Sequence, residues 1–286
     1  MKPHSKRVLA SLMRVTCISL FCVAPSMAQS SANLPPSIKT KGEIVVGING
    51  TFAPMEFKIP GSSEIIGFDI DISKAIGNAL GVKVRFDDQE FDQLINSVNT
   101  NRVDFVISAI SDSVERQKSN DFIDYFRSGT QVYTTKAYAS SIPNLEALSG
   151  KVLSGQVSTD YLITVQRWSK ANLEDKGKPG IKILPIDTEA NARLQVVQKR
   201  AQASAISPEV LGYLMKEQPG KFVAIGPLLE SNPYGIMFSK RNTQLRDTVL
   251  TVMKKFFKDG TYKKLLSKWE LERCAVPELT INGATQ

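Results

Sequence analysis

The sequence predicts a two-lobed α/β fold, each lobe a mainly parallel sheet flanked by helices. Strand-like and helix-like segments alternate in β-α-β-α-β order between residues 43 and 107, the order of a parallel sheet with helical crossovers. The alternation begins again after residue 130. No repeat or low-complexity tract interrupts it, and the 286 residues suit two modest domains. Two such sets in one chain imply a cleft between lobes, where polar loops at the carboxyl ends of strands converge.

Met1 to Ala28 stands apart from the fold. Lys2, Lys6, Arg7 and Arg14 give it a basic start without an acid, an apolar run follows from Val15 to Val23, and Ser26-Met27-Ala28 closes it with small residues around a cleavage point. That order is a secretory signal peptide cleaved after Ala28, which places the mature chain in the periplasm. Its apolar run falls short of the ~20 residues that span a bilayer. Ser30 to Thr40 is polar with Pro35-Pro36, an extended lead-in.

Glu43 to Ile48 is apolar and β-branched, a strand. From Asp69 to Leu80 the apolar residues fall at helical spacing, and Gly81 supplies the stop. Val82–Phe86 and Val103–Ile107 read as strands on either side of a short helix, Phe91–Asn99. In the second set Gln131–Ala139, Lys151–Leu153, Ile181–Ile186 and Ala203–Ile206 read as strands. Asp160–Lys170, Glu189–Arg200 and Pro208–Lys216 read as helices. The chain then returns through a strand, Gly235–Ser239, to two amphipathic helices, Leu245–Lys258 and Thr261–Trp269, parted by Asp259-Gly260.

Cleavage after Ala28 removes the only histidine, His4, together with Cys17 and Cys22. The mature chain then has Cys274 alone, so no intramolecular disulfide forms. Ser-His-Asp triads, Cys-His pairs and His-ligated metal sites are excluded. No catalytic residue, cofactor or metal is expected. The formal charge of +8 for the whole chain includes the four basic residues of the leader. The remaining basic residues are scattered, with no block that would mark a nucleic-acid partner.

Several stretches carry a resemblance. Gly47-Ile48-Asn49-Gly50-Thr51-Phe52-Ala53-Pro54-Met55-Glu56-Phe57, Gly67-Phe68-Asp69-Ile70-Asp71 and Arg102-Val103-Asp104-Phe105-Val106-Ile107-Ser108 resemble the first third of the polar amino-acid-binding proteins of ABC transporters. Glu115-Arg116-Gln117-Lys118, Pro233-Tyr234-Gly235-Ile236, Asp259-Gly260-Thr261-Tyr262 and Lys268-Trp269 follow in the same order, so the likeness covers about residues 43 to 270. It implies the periplasmic-binding-protein fold with a two-segment hinge near 127–130 and 231–235: residues 29–127 and 235–286 as lobe 1, 128–234 as lobe 2. It also implies a monomer that captures an amino acid or similar carboxylate between closing lobes and delivers it to a membrane permease.

By the same resemblance, Arg116 grips the ligand's carboxylate, since a planar guanidinium offers two parallel hydrogen bonds. Ser108, Ala109 and Ser111 add hydroxyl and backbone contacts, although Ser111-Asp112-Ser113 also reads as a helix cap. Phe52 and Phe91 flank the ligand's side chain, with Asn49 nearby where several relatives carry Asp. Ser158 and Thr159 open a helix whose N-terminal amides suit a carboxylate. Ser207 stands where the family usually places the Asp that holds the ligand's ammonium; Ser207-Pro208 is also a strong helix start. Either Glu209 reaches in, or the ligand lacks a primary ammonium. Two rival readings remain open. One is a cyclohexadienyl dehydratase-like enzyme using Glu209 or Glu56 as general acid. The other is a binding protein that presents its ligand to a membrane sensor.

Overall fold

The computed structural model describes residues 33–230 and 233–285. The signal peptide predicted over Met1 to Ala28 lies outside the described residues. Along the chain the strands are β1 (Glu43–Ile48), β2 (Thr51–Phe52), β3 (Glu56–Lys58), β4 (Ile65–Ile66), β5 (Lys83–Asp88), β6 (Phe105–Val106) and β7 (Asn120–Arg127). They continue with β8 (Thr130–Thr135), β9 (Val152–Gln156), β10 (Lys182–Ile186), β11 (Ala203–Ile206), β12 (Phe222–Leu229), β13 (Pro233–Ser239) and β14 (Ala275–Ile281). A six-stranded sheet runs β14-β7-β13-β6-β1-β5 and a five-stranded sheet β10-β9-β11-β8-β12. The first sheet is therefore assembled from both ends of the described chain, and the second from the segment between.

Both sheets are mixed. β1 pairs parallel with β5 and β6, and β9 pairs parallel with β10 and β11. These are the strands that crossover helices join, as the alternating order required. The antiparallel pairings belong to the strands that pass between the sheets. β7 leads out of the first sheet and β13 leads back, so these neighbours run in opposite directions. β8 and β12 do the same in the second. The two crossings lie side by side, with Leu229 in register with Thr130 and Thr130 N donating to Glu230 O at 3.4 Å.

Local chemistry explains where the elements differ from expectation. Residues read as an extended lead-in form a turn of helix, Pro36–Lys41, because proline suits the first helical position. The strand expected to reach Ala139 ends at Thr135, and Lys136–Ala139 makes a single helical turn. β7 was not anticipated: Asp121 and Asp124 break its apolar run, yet both are buried. β14 carries Pro277, which an edge strand tolerates because the N–H that proline lacks is not needed on the side without a neighbouring strand. The core of the first sheet is aromatic, with Phe126 stacked on Tyr234 at 5.6 Å between ring centres. Helices Thr243–Asp259 and Thr261–Lys268 cover it, joined at Gly260, whose φ of 81° explains the glycine.

Candidate functional site

The loop after β6 brings Ser108, Ala109 and Ser111 to the carboxyl end of the parallel strands, followed by the helical turn Val114–Gln117. Ser113 caps that turn, its Oγ accepting from Arg116 N at 3.4 Å. The Arg116 side chain then reaches across to the second sheet's loops. Nη1 donates to Ser111 O at 2.8 Å and to Asp160 Oδ2 at 3.3 Å, and Nη2 donates to Ser158 O at 2.9 Å. The guanidinium side chain is 9% exposed and that of Asp160 15%. Of five N–H donors, Nε–H and one on Nη2 therefore have no partner among the described residues. That leaves a fork for an incoming carboxylate.

Two residues flanking this guanidinium hold left-handed backbones without being glycine: Ala109 at φ 44° and Ser158 at φ 63°. Such conformations cost of order 1 kcal/mol each and persist where surroundings over-determine them. Ala109 is fixed by Asp69, whose Oδ2 accepts from its N–H at 2.8 Å. Ser158 turns its carbonyl onto Arg116, while Thr159 anchors the turn by donating Oγ1 to Gln156 O at 2.7 Å. The helix Asp160–Asn172 starts there.

Between the lobes, where the loops of the two sheets meet, lies a small, tightly closed cavity. Asn49, Phe52, Phe91, Ser108, Ala109, Ser111, Arg116 and Thr159 all line it, so eight of the ten residues expected from sequence meet at one place. Ser158 reaches the site through its carbonyl on Arg116. Ser207 does not line the cavity; it is fully buried at the start of helix Pro208–Glu217, beside Tyr161, Tyr234 and Glu209. Glu209 does not reach in either: both its oxygens accept from Ser128 Oγ at 3.0 Å. Asn49 is committed within the wall, donating Nδ2 to Gln89 O and accepting from Thr51 Oγ1.

Four further cavity residues were not singled out as ligand contacts: Glu56, Gln156, Asp160 and Tyr161. Gln156 ends β9, a strand-end position that is itself a signal. Glu56 is 1% exposed, and its Oε1 accepts from Ser108 Oγ at 2.8 Å while Oε2 has no partner among the described residues. Gln156 Nε2 is likewise buried and unpartnered. Burial, then the neighbouring Asp69 carboxylate, push the Glu56 carboxyl well above its ordinary value. Burial also raises Asp69 to about 6, against the pull of Tyr125 Oη donating at 2.6 Å.

The loop bearing Arg116 is braced from behind. Asp112, fully buried, accepts from Gln117 Nε2 at 2.9 Å and from Ala284 N at 3.0 Å. Beside it Asp124 accepts from Thr280 Oγ1 and Gly283 N, and burial raises its carboxyl to about 7. A larger groove of about 670 Å³ lies elsewhere, between Arg127, Pro208 and Trp269. It holds none of the ten expected residues and no buried unpartnered donor, so the smaller cavity is the candidate site. Among the described residues there is no cluster of three or more His, Cys, Asp or Glu that would hold a metal, and no helix long and apolar enough to cross a membrane.

Comparison with known proteins bears on the family and the fold. The profile of bacterial extracellular solute-binding proteins, family 3, matches residues 44–272. The arginine-binding protein ArgT of Corynebacterium glutamicum is 25% identical over 91% of this chain and 84% of its own length. A solved ancestral arginine-binding protein bound to glutamine is 31% identical with a TM-score of 0.72, covering 81% of this chain and 99% of the other. An ancestral amino acid-binding protein described as a precursor of cyclohexadienyl dehydratase is 30% identical with a TM-score of 0.71, covering 82% and 97%.

Proposed function

Because the chain belongs to the bacterial extracellular solute-binding proteins, family 3, we propose that it captures an amino acid in the cavity beside Arg116 and delivers it to the membrane permease of an ABC transporter. The observation that carries this reading is the distribution of unused hydrogen-bonding capacity around one enclosed space. Among the described residues, Arg116 has two N–H donors without a partner at one end, and Glu56 Oε2 and Gln156 Nε2 lie buried and without a hydrogen bond on the wall. Buried polar atoms without partners cost free energy, so a ligand that supplies both donors and acceptors is favoured. Phe52 and Phe91 offer apolar faces for its side chain. The relatives are named for binding arginine, or hold glutamine, and both molecules have a carboxylate, an ammonium and a polar side-chain end.

The rest of the reading follows from this. Lobe 1 comprises residues 29–127 and 235–286 and lobe 2 residues 128–234, hinged at the paired crossings. The protein works as a monomer in the periplasm after cleavage behind Ala28, without nucleic acid or cofactor. It performs no reaction. The site is built from Asn49, Phe52, Phe91, Ser108, Ala109, Ser111, Arg116, Ser158 and Thr159, with Ser207 supporting it from the core.

The test is thermal unfolding of the chain from residue 29 with each of the twenty amino acids. A cognate ligand at ~100 Kd raises stability by about 2.7 kcal/mol. No shift from any of them would sink the reading. The specific case for an enzyme is Glu56, a carboxyl on the cavity wall that burial pushes well above its ordinary value, the direction a general acid needs. Aromatic product formed from prephenate or arogenate, and lost in Glu56→Gln, would establish that alternative instead.

A further inference from the structure

We infer that Asp160 is the counter-ion for the ligand's α-ammonium, and that through it the site selects zwitterions over plain carboxylates. The inference rests on the amino-acid reading above and deepens it. It starts from charge. Arg116 and Asp160 form an ion pair on the cavity wall, Nη1 to Oδ2 at 3.3 Å, with both side chains largely withdrawn from water. The pair is neutral as it stands. A carboxylate ligand arriving alone adds a second anion to one guanidinium that already holds Asp160. A zwitterion brings its own cation on the same carbon as its carboxylate, and so closest to the very group that meets the carboxylate.

The donors and acceptors agree with that arrangement. Asp160 spends only Oδ2 on Arg116; its Oδ1 accepts no hydrogen bond among the described residues. Arg116 retains Nε–H and one Nη2–H. The ligand carboxylate takes that fork while its ammonium turns to Asp160, giving two charge-assisted bonds around one neutral pair. The neighbouring acids are otherwise engaged. Asp69 accepts from Tyr125 Oη and Ala109 N and is not on the cavity wall. Glu209 is held by Ser128 and does not line the cavity. Glu56 does line the cavity, but one oxygen is taken by Ser108 and it borders the buried Asp69 rather than Arg116. Asp160 is the cavity carboxylate adjoining the guanidinium.

The experiment compares calorimetric affinities of L-arginine with 5-guanidinopentanoate, and of L-glutamine with glutaramate, each pair differing only in the ammonium. The unaltered protein is expected to prefer the amino acid in whichever pair it binds. Asp160→Asn should weaken the amino acid by ~10- to 100-fold, the span of a lost charge-assisted bond, and leave the des-amino analogue unchanged or tighter. Asp160→Glu should restore part of the preference. Equal loss for both members of a pair would mean a structural role and overturn the inference. A tighter amino acid in Asp160→Asn would overturn it too, showing that Asp160 merely competes for Arg116. Arg116→Ala is the separate control on the site itself: affinity unchanged there removes the reading, whatever Asp160 does. No binding of either amino acid by the unaltered protein removes both.

Discussion

Tyr161 and Tyr234 meet hydroxyl to hydroxyl at 2.8 Å, one from the helix behind the second sheet's binding loop and the other from the strand that returns to the first sheet. Both rings are buried, and burial raises both hydroxyls far above the ordinary phenol value. The contact thus ties a helix of the second sheet to a strand of the first through neutral groups only, beside a cavity that Tyr161 also lines.

Removing one member strands the other. Tyr234→Phe leaves the Tyr161 hydroxyl buried without its partner, a cost of about 1–3 kcal/mol. Urea unfolding should show that loss, and ligand affinity should fall with it because the contact fixes Tyr161, which lines the cavity, to the first sheet. Unchanged stability would mean that water replaces the lost hydroxyl.

At position 116 the shape of the cation matters beyond its charge. Arg116→Ala is expected to cost about 2–5 kcal/mol of ligand affinity. Arg116→Lys should recover little of it, since an ammonium cannot span Ser111 O, Ser158 O and a ligand carboxylate with a planar fork. Calorimetry on the two variants separates these outcomes.

Stability should decline from mildly acidic to mildly alkaline pH. Asp69 is raised from 3.8 to about 6 and Asp124 from 3.8 to about 7, both chiefly by burial. The folded state holds these protons more tightly than the unfolded chain. Their contribution is therefore complete below about 3.8 and is lost as pH rises through about 6 and about 7. The urea midpoint should be higher near pH ~5 than near pH ~8, and Asp124→Asn should narrow the gap. Equal midpoints in the unaltered protein would contradict the assignment.

Ser207→Asp should destabilise the protein without improving ligand binding. Position 207 is fully buried next to Glu209, whose carboxyl burial has already raised. A second acid there adds a charge with no cation facing it. Tighter amino-acid binding by this variant would show that the side chain does reach the ligand.

Cys274 should react slowly with a disulfide reagent such as 5,5′-dithiobis(2-nitrobenzoate). Burial, then the nearby Glu209 charge, push its thiol up to about 12, and the thiolate is the reactive form. Denaturant should restore the rate of an ordinary thiol; a fast reaction in the folded protein would place the sulfur in water.

How much of this was legible depends on how local each cause is. β1 has the bounds its β-branched run announced, and the stop at Asp259-Gly260 is where the helix ends, because both follow from neighbouring residues. Arg116 was legible through its surroundings in sequence. Asp160 was not: its meaning comes from a guanidinium 44 positions away, and by itself it reads as an ordinary acid in a first helical turn. Glu56 likewise takes its character from Ser108, 52 positions on, and from Asp69. β7 was hidden for the opposite reason, since its aspartates look like loop residues until the distant groups that satisfy them are in place, Arg246 and Asn282 for Asp121, Thr280 and Gly283 for Asp124.

The paired crossings have a mechanical consequence. One strand joining two bodies is a swivel, free to twist as well as bend. Two strands tied to each other, as Thr130 is to Leu229 and Glu230, form a ribbon that resists twisting and bends about a single axis. On the hinged reading proposed above, opening and shutting would retrace one path, and the Arg116 fork would return to the same alignment with Ser158 and Asp160 in every cycle.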